Sequence, residues 1–139
     1  MVIKEGNKES KFGDYVVHPE VQKLLVNQLS NELYNKLMYE SFASFFALKG
    51  FPELERYYKE RAEEEEVHYQ WIKNFLTAND CDFEHPGVDD VDEDVKELID
   101  PFEITLDAEI ETTEDMFNAL KEQSKENYDL VIHSSAVGD

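Results

Sequence analysis

A single cysteine, Cys81, is the only thiol in the 139-residue sequence, so no disulfide can form within it and no oxidised framework holds it together. Glycine and proline are also scarce, five and four in all, which leaves long stretches with nothing to interrupt a helix. Basic residues are few: 13 Lys and Arg stand against 33 Asp and Glu, giving a formal net charge of -20. Such a surface repels nucleic-acid phosphates and anionic membrane faces, which excludes both as partners. No stretch approaches the ~20 apolar residues of a spanning helix, and the amino-terminal segment MVIKEGNKESKFGDYVV lacks the apolar centre of a signal peptide. These features predict a soluble, cytoplasmic protein in one domain.

Hydrophobic residues make up 41% of the chain and aromatics 12%, enough for a real core. Residues 1–17 are polar, contain Gly6 and Gly13, and read as a flexible arm. The domain then occupies 18–139. Pro19 opens a run to Leu48 that has no further Gly or Pro, and Gly50 follows as a helix stop. Pro52 opens a second run to Ala78, ended by Asn79-Asp80. Helices are therefore expected at about 19–48 and 52–78. Their short connection makes them an antiparallel hairpin. Between 79 and 112 the periodicity fades through Pro86, Gly87, the acidic DDVDED tract and Pro101, which predicts a long acidic crossover. Thr112 with Asp115 resembles a capping box and predicts a third helix over about 113–135.

Both helices of the hairpin carry polar groups on the face that should be buried. At about 100° per residue, Val21, Leu25, Leu29, Ala43 and Phe46 share one face of the first, and Glu32 and Tyr39 lie within it. In the second, Leu54, Tyr58, Ile72 and Leu76 define the apolar face, and Glu65 and His68 fall inside it. The Glu-x-x-His spacing puts both side chains on one side of the helix, a turn apart. An inward carboxylate is costly unless neutralised, paired or bound to a metal. Lys36, on the face of Glu32, is the ordinary structural partner; taken alone, Glu-x-x-His is common in acidic helices. Carboxylates converging with an imidazole, however, suit iron or manganese, and less often zinc, and a bridging carboxylate such as Glu65 can hold two ions together.

These residues resemble the non-haem ferritins. NQLSNELYNKLMYESFASFF is similar to their helix A, with Glu32 and Tyr39 at the positions of its ligand and site tyrosine. RYYKERAEEEEVHYQWIKNFL is similar to helix B, with Glu65 and His68 as its Glu-x-x-His pair. ETTEDMFNAL resembles the start of helix C after a long connection. The resemblance implies an all-α, ferritin-like antiparallel helical bundle, here expected to lack the fourth helix. It implies a ferroxidase centre of one or two iron ions, which oxidises Fe(II) with oxygen or peroxide. Glu32, Glu65 and His68 would hold iron, Glu65 would bridge, and Tyr39 would act beside the site as a hydrogen-bonding or redox-active catalytic neighbour. The helix C glutamate of the family is expected at Gln123 or Ser124, and a shifted helix would bring in Glu126 as a metal ligand. The family also implies a homo-oligomer, from a dimer with iron shared across the subunit interface up to a mineral-storing cage. The competing expectation is a non-catalytic ferritin-fold module whose acidic surface binds a protein partner.

Overall fold

Two prolines and one glycine set the limits of the first helical hairpin. Helix α1 spans Pro19–Lys49, and His18 caps it: Nδ1 accepts a 3.1 Å hydrogen bond from the Glu20 N–H. Pro19 sits in the first turn, where a missing N–H costs nothing. Gly50 ends the helix in the left-handed region at φ 84, where a side chain would be strained, and its N–H returns to Ala47 and Phe46. Helix α2 spans Pro52–Ala78, with Glu53 and Glu55 in its first turn complementing the helix dipole. Both helices follow the sequence expectation, and they pack as an antiparallel pair.

The computed structural model describes residues 17–111, 113–115, 117, 118 and 121. Most of the expected arm thus lies outside the described residues. Val17, its last member, is not loose but buried in the core. The described residues form three helices and no strand. None of the described helices is long and apolar enough to cross a membrane.

The crossover is shorter than expected. From Cys81 it runs beside α1, tied by Gln22 Nε2 to the Asp82 carbonyl (3.1 Å), Ser30 Oγ to the Gly87 carbonyl (2.7 Å) and Tyr34 OH to Glu93 (2.6 Å). The chain then turns helical at residue 100, not 113. The Asp100 carboxylate accepts the Lys96 and Glu97 N–H groups at 2.9 and 2.8 Å, closing the turn, and Pro101 follows in the first helical turn. This helix, α3, covers residues 100–111, and the described residues 113–115, 117, 118 and 121 are helical too. It returns antiparallel to α1: Phe102 meets Phe46, Glu109 meets Tyr39, and Asp115 meets Asn31.

Two apolar clusters hold the bundle. One joins Val17, Val21, Val26, Leu29, Ile72, Leu76 and Cys81. The other joins Met38, Tyr39, Phe42, Ala43, Phe46, Tyr58 and Ala62, with Phe102, Ile104 and Ala108 of α3 against it. On α1 the gap between the clusters falls between Leu29 and Met38, and on α2 between Ala62 and Ile72. Glu32, Glu65 and His68 occupy that gap.

Candidate metal centre

The antiparallel pairing of α1 and α2 brings Glu32 opposite the Glu65–His68 turn. One ligand atom from each of Glu32, Glu65 and His68 lies within 4.8 Å of the others. His68 Nδ1 stands 3.3 Å from Glu65 Oε2 and 3.6 Å from Glu32 Oε2. Both carboxylates are buried, whereas the imidazole is 43% exposed. The three residues singled out by spacing therefore converge.

Charge is poorly compensated there. Glu32 Oε1 accepts from Gln28 Nε2 at 3.2 Å, but Glu32 Oε2 is buried with no hydrogen-bond partner. Lys36, the ordinary partner expected for Glu32, reaches across to Glu66 instead (3.0 Å), and Gln70 also donates to that carboxylate. The Glu65 carboxyl is pushed up to about 9, first by burial, then by the Glu32 carboxylate beside it, with smaller contributions from Glu109 and Glu64. A proton held on Glu65 thus does the neutralising that a cation would do. An orphaned carboxylate oxygen, a second carboxyl and an imidazole nitrogen form a donor set that fits a divalent ion such as iron, manganese or zinc.

Tyr39 is fully buried two turns along α1 from Glu32. Its hydroxyl donates to Glu109 Oε1 at 2.8 Å. Burial, followed by Glu109 and then Glu65, holds the phenol far above its ordinary range, so it remains protonated. Glu109 was not among the residues expected at the site. Gln123, Ser124 and Glu126, the positions expected to bear a third-helix ligand, lie outside the described residues. The earlier start of α3 brings Glu109 to Tyr39 and into the field of Glu65. The signal for it was Asp100-Pro101, a start of the same kind as His18-Pro19 and Phe51-Pro52.

The remaining histidines and acidic residues have local roles. His18 is a cap, and His85 shares a 2.9 Å hydrogen bond with Tyr69; His133 lies outside the described residues. Asp89 and Glu93 of the acidic tract join Asp107, Glu111 and Asp115 around a hollow of about 360 Å³ between α1, the crossover and α3. Such a concentration of carboxylates raises the local concentration of cations.

Comparison with known proteins follows the same lines. A family model described as the ferritin-like domain matches residues 22–133. A humanized archaeal ferritin superposes with a TM-score of 0.77 at 18% identity, over 87% of this chain and 76% of that one. An open-pore ferritin from the hyperthermophilic archaeon Archaeoglobus fulgidus gives 0.77 at 17% identity, over 84% and 72%. An engineered closed form of the Archaeoglobus fulgidus ferritin gives 0.74 at 18%, over 87% and 76%. At these identities the likeness is one of fold. No curated protein matches the sequence.

Proposed function

The chain belongs to the ferritin-like domain family, and we propose that its Glu32, Glu65 and His68 take up Fe(II) and promote its oxidation by oxygen or peroxide. The observation that carries this reading is the buried, unpartnered Oε2 of Glu32 beside a second buried carboxyl and an imidazole. Without a cation that arrangement leaves an orphaned acceptor and obliges Glu65 to keep a proton well above its ordinary range. With Fe(II) bound, both costs are relieved.

In this reading Fe(II) is the substrate. Glu32 and His68 each supply one atom to the first ion. Glu65 would bridge, because it feels the charge of Glu109 as well as that of Glu32. Glu109 supplies a carboxylate to a second ion, and Tyr39 holds Glu109 in place until that ion arrives. Two Fe(II) ions each lose one electron; dioxygen takes up both electrons and two protons to become hydrogen peroxide. With peroxide as the oxidant, the product is water. The acidic surface draws cations toward the protein.

A homo-oligomer belongs to the same reading. Leu106 and Ile110 on α3, and Phe117 beyond it, are exposed apolar side chains that an assembly would bury. The test is anaerobic Fe(II) loading of wild type, Glu65→Ala and His68→Ala, followed by light scattering with elemental analysis. Iron retained by a wild-type oligomer and lost from both variants is the expected result. Equal iron in all three proteins, or none in wild type, overturns the reading.

A further inference from the structure

Of the three converging side chains, only His68 lacks walls. Glu32 and Glu65 side chains are 4% and 6% exposed, against 43% for His68. Core packing therefore fixes both carboxylates but not the imidazole. A ligating histidine is usually held by a hydrogen bond from its second ring nitrogen. Among the described residues, His68 hydrogen-bonds only through Nδ1, toward Glu65. Something else must hold the ring.

The chain's single tryptophan lies against it. Trp71 follows His68 by three residues and so lies on the same side of α2. The ring centroids are 5.6 Å apart with planes inclined at 40°. Trp71 is itself 65% exposed. A large indole left mostly in water contributes little to the core, and its ring contact with His68 is the interaction that distinguishes it.

Resting on the iron-centre reading above, we propose that Trp71 is a positioning residue: its indole holds the His68 imidazole in the rotamer that turns Nδ1 toward Glu32 and Glu65. The contact does two things. It removes rotamer freedom that an exposed imidazole would lose only on binding metal, so binding orders less. It also gains strength once a cation sits on Nδ1, because the ring then carries more positive charge against the indole π face.

The test uses Co(II) alone as the probe, titrated into the full chain and followed by its visible ligand-field absorption. Wild type, Trp71→Ala, Trp71→Phe and His68→Ala are compared, together with the thermal midpoint and subunit mass of each metal-free protein. Trp71→Ala is expected to weaken Co(II) binding about 3- to 10-fold, the scale of one aromatic pair, and to broaden the absorption bands. Trp71→Phe is expected to restore most of the affinity. Metal-free stability and mass stay at wild-type values. Unchanged affinity and spectrum in Trp71→Ala overturn the proposal, as does an affinity loss that tracks a fall in thermal midpoint and is not restored by Trp71→Phe. If wild type binds no more Co(II) than His68→Ala, the iron-centre reading itself fails and this inference fails with it.

Discussion

Tyr39 on α1 and Glu109 on α3 are 70 residues apart in the chain and share a 2.8 Å hydrogen bond donated by the phenol. The bond ties the third helix to the level of the candidate metal centre and keeps one Glu109 oxygen occupied. Tyr39→Phe leaves the ring against Phe42 and Tyr58, at centroid distances of 6.3 and 5.8 Å, and deletes only the hydroxyl. The expected cost is about 1 kcal/mol of stability by urea unfolding, the net worth of one such bond. Fe(II) affinity should hold while oxygen uptake slows. Oxygen uptake at the wild-type rate would leave Tyr39 as a packing residue with no part in the reaction.

Glu109→Gln tests whether the proposed centre takes a second ion. The amide keeps the shape and still accepts from Tyr39, but it removes a charge from the field that raises Glu65. Anaerobic titration with elemental analysis should then find one ion per subunit where the proposed centre of the wild type would hold two, with the first-ion affinity little changed. Two ions bound to the variant would rule Glu109 out as a ligand.

Phe46 tests how the third helix is held. It is fully buried, stacks on Tyr58 at 5.8 Å and meets Phe102 of α3 at 5.6 Å. Phe46→Ala removes the ring that all three helices share, so a loss of about 3–5 kcal/mol is expected. Hydrogen exchange should rise first in residues 100–111. A loss below about 1 kcal/mol would mean that α3 docks through other contacts.

What could be read without coordinates followed from strong local signals. Pro19, Gly50, Pro52 and Asn79 punctuate α1 and α2 so firmly that the hairpin was legible, and inward Glu32, Glu65 and His68 were legible from helical spacing alone. The start of α3 was not. Residues 102–110 alternate apolar and polar, FEITLDAEI, because Phe102, Ile104 and Ala108 face the core while Leu106 and Ile110 are exposed. Apolar residues on both sides of the helix erase the 3.6-residue period that marks an amphipathic helix. Glu109 was missed for that reason. The pairing of Lys36 with Glu66 rather than Glu32 was equally hidden, since it depends on how two helices align, not on spacing within one.

The raised Glu65 carboxyl makes the stability of the metal-free protein depend on pH. Its folded value is about 9 against an ordinary 4.5, chiefly because burial and the neighbouring Glu32 disfavour a second charge. Between those values the folded chain holds a proton that the unfolded chain has released, so stability falls as pH rises. The contribution is fully present below the unfolded value and is lost as pH climbs through about 9. One such group changes stability by at most about 1.4 kcal/mol per pH unit. Glu65→Gln supplies a permanently neutral group of the same shape, which resembles the protonated acid. Urea unfolding of both metal-free proteins between about pH 6 and about pH 9 should therefore show wild type losing stability relative to the variant as pH rises. The variant should also bind no Fe(II), so that it is more stable at high pH and inert toward metal. Subtracting one protein from the other cancels the general repulsion of a chain carrying -20, which both share. A difference that stays flat across the range would mean that Glu65 is charged in the folded protein, and the proton would no longer explain how two buried carboxylates sit together without a cation.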